Sequence, residues 1–272
     1  MPATGGFPTL FPQNVEYADP YADLDEPGDR PEPLPTDEDL ARLGLPLRSI
    51  ATSWDDYEDR TKTIDGESLR EVFLEASESL EERLTEYSYN GLVVLGPAGV
   101  GKSLGAALLL KDALDLMRPQ RPHQAAEKPR RVTGCFLSAA GFLNESRRLI
   151  QLSKEGDPGA RRLTDGSFSK TLRDWERNLE AVRTVDVLVL DDLGKERSPQ
   201  GSNFAESEME SHVLRSRGDM GLLTIATSNL DGSQFQRYSP SMWSYLHEVG
   251  DIVGVATSST DFRKRKRRRR TG

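Results

Sequence analysis

The chain has 272 residues and carries 36 lysines and arginines against 44 aspartates and glutamates, a formal charge of −8 on a length that suits one large domain or two small ones. Its apolar fraction of 36% falls short of the roughly 45–50% of ordinary domains, so part of it is expected not to contribute to a core. The single cysteine, Cys135, excludes an intramolecular disulfide and a cysteine-based zinc site, and His123, His212 and His247 lack ligand spacing.

No run approaches the roughly 18 apolar residues of a membrane helix. The opening MPATGGFPTL has neither the basic nor the apolar part of a secretory signal, and the expectation is a soluble, cytoplasmic protein without membrane contact.

Residues 1–40 hold eight of the 16 prolines and ten acidic residues against the lone Arg30, which predicts a disordered acidic arm. Residues 41–88 read as a helical linker. Within it Leu69, Val72, Phe73, Ala76, Leu80 and Leu84 recur at helical spacing from about 66 to 87, predicting one amphipathic helix. The linker aromatics Trp54 and Tyr57 either pack as ordinary core or line a ligand site.

From 89 to 260 the pattern is that of a globular domain. The apolar runs Gly91–Leu95, Val132–Leu137, Val185–Leu190, Leu222–Thr227 and Ile252–Val255 alternate with helical stretches. Such alternation predicts an α/β fold with a central parallel sheet flanked by helices. Segments 118–130 and 153–167, rich in Pro, Gly and charge, are expected as surface loops.

Gly96-Pro97-Ala98-Gly99-Val100-Gly101-Lys102-Ser103 follows the strand GLVVL, opens the helical stretch Leu104–Met117 and fits the phosphate-loop pattern at every fixed position. Glycines let backbone amides curl around phosphates, Lys102 reaches the β and γ phosphates, and the Ser103 hydroxyl is a ligand for Mg²⁺. The start of the following helix, from Leu104, adds partial positive charge. The pattern implies a bound nucleotide with Mg²⁺, held from Gly96 through Leu104.

The run Val185–Leu190 ends in Asp191 and Asp192, as a buried strand delivering carboxylates to a phosphate site would. Asp191 is the candidate metal ligand, directly or through water. Asp192 is the candidate that orients or deprotonates the attacking water. The run Leu222–Thr227 continues into Ser228 and Asn229, where Asn229 either positions that water against the γ-phosphate or merely caps a turn.

Residues 261–272 form a basic tail, with eight consecutive cations from Arg263 to Arg270. It reads either as a solvated tail that pairs with the acidic arm or as a phosphate contact on nucleic acid, acting by counterion release and without sequence preference.

Together these motifs resemble the AAA+ ATPases of the DnaC/IstB group, which comprises helicase loaders and transposition helper ATPases. Leu190-Asp191-Asp192-Leu193-Gly194-Lys195-Glu196 resembles the group's Walker B phrase, and Thr224-Ile225-Ala226-Thr227-Ser228-Asn229-Leu230 resembles its sensor 1. Leu43-Gly44-Leu45-Pro46 followed by Ser53-Trp54 resembles the lead-in to the ATPase core.

The resemblance spans about 43 to 263 and leaves both arms outside it. It implies an AAA+ P-loop NTPase that hydrolyses ATP, with Lys102, Asp192 and Asn229 in catalysis and Ser103 and Asp191 on the metal. It further implies a homo-oligomer acting on DNA, single-stranded DNA included, with a replicative helicase or a transposase as partner.

Two positions depart from the group's pattern. Where the group carries an arginine finger, this chain has Ser244-Tyr245-Leu246, and tyrosine cannot stabilise transition-state charge as a cation does. Arg237, Arg215 or Arg217 is then the substitute, Arg217 being preferred, or hydrolysis is slow and needs a partner. Asp261-Phe262-Arg263 resembles the closing sensor 2 phrase, so Arg263 belongs either to the ATP site or to the tail. A rival reading is an adaptor that holds ATP without turnover, which Tyr245 favours and the intact Asp191 and Asp192 disfavour.

Overall fold

The structure, a computed structural model, describes residues 34–58, 61–85, 91–119, 130–144, 146, 177–194 and 209–256. The acidic residues before 34, the basic tail with Arg263, Lys195, Glu196, His123, most of the 118–130 loop and all of the 153–167 loop lie outside the described residues.

Five strands form one parallel sheet: β1 (Gly91–Leu95), β2 (Gly134–Ser138), β3 (Val187–Leu193), β4 (Leu223–Ser228) and β5 (Gly250–Gly254), in the order β2-β3-β4-β1-β5. Each of the five expected runs contains or overlaps one of these strands. Successive side chains on a strand face opposite ways, and the buried residues divide accordingly. Leu92, Val94, Val187 and Val189 pack on one face, and Val93, Leu95, Leu188 and Leu190 on the other. Both faces are covered, which is why these strands read as nearly continuous apolar runs.

The first face is covered by helices from the linker and by the helix after the phosphate loop. These are α1 (Asp37–Arg42), α2 (Leu47–Ile50), α3 (Leu69–Glu78), α4 (Leu80–Thr85) and α5 (Lys102–Leu114). The second face carries the helical segments 139–144 and 177–184, a π-helical turn at Glu210–Leu214, α6 (Arg215–Asp219), α7 (Gly232–Tyr238) and α8 (Pro240–Val249). The expected α/β architecture, a central parallel sheet flanked by helices, is therefore present.

Two expectations change. The helix expected over 66–87 is two, α3 and α4, broken at Ser79, whose Oγ donates to the carbonyls of Glu75 at 3.0 Å and Ala76 at 3.2 Å. A hydroxyl that bonds back to the preceding turn competes with helix continuation, while Leu80 and Leu84 keep the apolar face buried. The arm boundary at 40 also moves, because α1 begins at Asp37 behind a Thr36–Asp39 capping box and buries Leu40.

The segment from 41, expected as a helical linker into the core, closes both edges of the sheet. Phe136 N on β2 donates to the Leu43 carbonyl at 2.8 Å. Gly44, at φ 88°, presses so close to the Phe136 carbonyl that a Cβ would have no room. On the opposite edge, Ile64 N donates to the Gly254 carbonyl at 2.8 Å, and Ala256 N donates to the Lys62 carbonyl at 3.0 Å. Edge strands expose unpaired donors and acceptors, and the linker supplies partners to both.

Candidate nucleotide site

Parallel register aligns the C-terminal ends of β1, β3 and β4, because Leu95 and Leu193 both pair with Ser228. The phosphate loop follows Leu95, the two aspartates close β3, and Asn229 follows β4. Three motifs far apart in sequence thus meet at one sheet edge, where open α/β sheets bind their ligands.

In the phosphate loop, Gly96, Gly99 and Gly101 take φ values of 140°, 82° and 107°, a region that side-chain-bearing residues rarely adopt. A Cβ on Gly96 would strike Val255, and one on Gly101 would lie 2.8 Å from Tyr57 Oη. The cradle is therefore lined by backbone, as phosphate binding by amides requires. Gly101 is the left-handed N-cap of α5, so the helix starts at Lys102, two residues earlier than expected.

Lys102 is buried, with its Nζ donating to the carbonyls of Gly96 at 2.9 Å and Pro97 at 2.7 Å and to Asn229 Oδ1 at 3.2 Å. The other end of Asn229 donates from Nδ2 to Asp192 Oδ1 at 2.7 Å. A donor-only ammonium on one side and a carboxylate on the other fix the orientation of the amide.

Asp191 and Asp192 lie in a β-bulge. Leu190 pairs with Ala226 and Leu193 with Ser228, so two aspartates oppose the single residue Thr227. Asp192 has φ 62° and is the positive-φ non-glycine residue of the described chain. Bulges re-aim side chains that strand alternation would send to opposite faces, and here both carboxylates bond to the C-terminal end of β4, Asp191 to Thr227 and Asp192 to Asn229 just beyond it. Buried Thr227 donates from Oγ1 to Asp191 Oδ1 at 2.6 Å and accepts from Asp192 N at 3.1 Å. Next to it, Ser228 Oγ donates to the Leu193 carbonyl at 2.6 Å and fixes the exit from the bulge.

These residues fit Mg-ATP. Among the described residues no group of three or more His, Cys, Asp or Glu could hold a metal alone, whereas Mg²⁺ at phosphates takes one or two protein oxygens and the nucleotide's own. Ser103 and Asp191, the expected Mg²⁺ ligands, carry oxygens of that kind. Of the linker aromatics, Trp54 donates from Nε1 to Asp112 on α5 at 2.7 Å and clusters with Tyr57 and Phe73, while Tyr57 is the one that reaches the loop, at Gly101. Thr61 ties the same segment to the loop by donating to the Val100 carbonyl at 3.1 Å.

Arg217, the preferred substitute finger, is overturned. It is 0% exposed, and its guanidinium donates to the carbonyls of Val182, Val185 and Leu223 at 2.7–2.9 Å and to Thr224 Oγ1 at 3.0 Å. Burial pushes its pKa down to about 9, which still leaves it a cation at neutral pH. A side chain so held cannot reach a neighbouring molecule.

Tyr245 is likewise core, donating from Oη to the Leu214 carbonyl at 3.0 Å. Arg215 stacks on its ring at 4.9 Å and pairs with Glu210 at 2.6 Å. Arg237 is exposed on α7, its Nε donating to the Ser233 carbonyl at 3.2 Å.

Sequence reasoning missed Thr227 as a holder of the acidic pair; a hydroxyl on the strand beside the acidic one was the available signal. It also missed Asp186, 2% exposed at the opposite end of β3, where Arg118 at 3.0 Å and Arg130 at 2.6 Å converge from the two ends of the 118–130 loop. Thr133 adds its N at 2.8 Å and Oγ1 at 2.9 Å. Burial works to raise the Asp186 pKa, but the hydrogen bonds from Arg130 and Thr133 and the charges of Arg130 and Arg118 hold it below the usual carboxylate value.

No protein-family profile matches the chain, and no curated protein matches it significantly in sequence. Solved structures similar in fold include the DnaC helicase loader, at 21% identity over 76% of this chain and 98% of that one with a TM-score of 0.48. DnaI is another, at 18% identity over 78% and 95% with a TM-score of 0.46. AMPPCP-bound DnaA from Aquifex aeolicus is similar at 17% identity with a TM-score of 0.48, over 84% of this chain and 56% of that one. No described helix is long and apolar enough to cross a membrane.

Proposed function

We propose that this chain is an ATP-binding and ATP-hydrolysing protein of the DnaC/IstB type. The observation that carries the reading is the hydrogen-bonded series Lys102–Asn229–Asp192 at the edge where the phosphate loop ends β1. It joins a phosphate-binding cation, an amide and a carboxylate from three separate segments, which a chance glycine-rich turn would not.

In this reading the backbone amides of Gly96 to Ser103 and the start of α5 bind the phosphates, and Lys102 adds its charge to the β and γ groups. Ser103 and Asp191 hold Mg²⁺, which when bound neutralises charge on the β and γ oxygens. Asp192 takes the proton of the attacking water, and Asn229 keeps its carboxylate in place. Arg237 is the arginine we assign to act across a subunit contact, since Arg217 is buried and Arg215 is engaged by Glu210 and Tyr245.

The DNA and partner side of the proposal rests on the Asp-Asp-Leu-Gly-Lys-Glu and Thr-Ser-Asn-Leu phrases: ATP switches an oligomer that positions a replicative helicase on DNA. A transposition helper carries the same phrases and is the alternative. A second reading, an adaptor with little turnover of its own, is favoured by the burial of Tyr245 and Arg217.

The test is ATP hydrolysis and fluorescent-nucleotide binding across a protein concentration series, with and without single-stranded DNA. Binding lost in Lys102→Ala, and turnover lost with binding kept in Asp192→Asn, is the expected result. Normal turnover in either variant would sink the assignment. Tight binding with flat, negligible turnover in the parent protein would select the adaptor.

A further inference from the structure

The bulge at the end of β3 gives Thr227 a part that the phosphate-site motifs do not assign to it. Its one hydroxyl serves both aspartates, donating to Asp191 Oδ1 at 2.6 Å and accepting from Asp192 N at 3.1 Å. It is 1% exposed, so water does not substitute for either bond. On β4 it stands opposite the extra residue of β3, at the point where the strand leaves regular pairing and Asp192 enters the left-handed region at φ 62°.

We infer that Thr227 is a positioning residue for the metal-bearing carboxylate, resting on the reading of the site as one for Mg-nucleotide. A carboxylate on a free torsion presents its oxygens in many directions. One held by a short hydroxyl bond at Oδ1 has its remaining lone pairs aimed before the metal arrives, and such outer contacts orient a ligand and tune its metal. The same oxygen accepts the Asp192 amide on a lone pair and gives its one proton to Asp191. Thr227 thus ties the metal ligand and the proposed base to one atom on the strand that leads into Asn229.

The closing experiment compares Thr227→Val, which keeps the shape and removes the hydroxyl, with Thr227→Ser, which keeps the hydroxyl. Fluorescent ATP affinity is measured in EDTA and over an Mg²⁺ series, with Mn²⁺ binding to the protein–AMPPNP complex followed by paramagnetic resonance as a readout free of turnover. The expected result is metal-free nucleotide affinity unchanged in both variants, with the Mg²⁺ half-saturation and Mn²⁺ affinity weakened about 10- to 100-fold in Thr227→Val. Thr227→Ser should stay within about threefold of the parent, since the donor remains.

Equal metal dependence in Thr227→Val and the parent overturns the inference while leaving the nucleotide site standing. Failure of the parent protein to bind nucleotide at all overturns both. If thermal melting shows Thr227→Val unfolded, the comparison passes to Thr227→Ser against Thr227→Ala, where equal Mg²⁺ dependence would overturn it.

Discussion

Asn229 donates from Nδ2 to Asp192 Oδ1 at 2.7 Å, although Asp192 lies on β3 and Asn229 follows β4, 37 positions away. The contact requires the bulge that turns Asp192 toward β4, and the other end of the same amide accepts from Lys102 at 3.2 Å. Removing the amide should leave the phosphate loop intact and loosen the carboxylate. Asn229→Ala is expected to keep nucleotide affinity within a few fold and lower turnover about 100-fold. Parallel binding and single-turnover measurements check it, and a variant that loses binding first would show that Asn229 serves the loop rather than the acid.

Asp192 itself carries backbone strain, with φ 62° at a residue that has a side chain. Holding such a residue in the left-handed region costs on the order of 1–3 kcal/mol. Asp192→Gly is expected to preserve stability or raise it by up to about 1 kcal/mol, whereas Asp192→Val should lower it by about 2 kcal/mol, and both should lose turnover. Urea midpoints of the two variants decide it. A destabilised glycine variant would mean that the carboxylate's bonds outweigh the strain.

Arg217 satisfies carbonyls at the end of the helical segment 177–184 and at the start of β4 from a fully buried position. Arg217→Met should leave those acceptors without donors and cost about 3 kcal/mol or more. Arg237→Ala, on an exposed helix, should leave the urea midpoint unchanged and reduce concentration-dependent turnover about 1000-fold if it acts as a finger. Opposite outcomes for the two arginines would reverse their assignments.

Asp186 supplies a pH dependence. Its folded pKa is depressed, so its contribution is fully present above the ordinary carboxylate value and is lost as pH falls through the lowered one. Stability should therefore decline below about pH 4. Asp186→Asn should remove part of that decline and, by taking away the buried charge that Arg118 and Arg130 face, cost about 3 kcal/mol at neutral pH. Denaturation at pH 7 and pH 3 tests it, and identical acid slopes in variant and parent would exclude Asp186 as the source.

The phosphate loop was legible because its chemistry is local: eight consecutive residues, Gly96 to Ser103, contain the turn, the cation and the hydroxyl. The strands were legible for a related reason, since burial on both faces leaves a run such as Val187–Leu190 apolar throughout. The break at Ser79 was not, because the buried positions on either side keep helical spacing and only the serine's bond back to the preceding turn interrupts it.

By itself the sequence determined the order of motifs along an alternating α/β chain, and with it the expectation of a nucleotide ligand. Only the tertiary structure decided which arginine is buried, where Asp186 finds its partners, how the linker closes both sheet edges, and that one threonine hydroxyl holds both aspartates. Each of these depends on what a distant segment places beside a residue. An arginine in a sequence reads as a surface cation, and only the carbonyls that Val182, Val185 and Leu223 bring to Arg217 offset the cost of burying it.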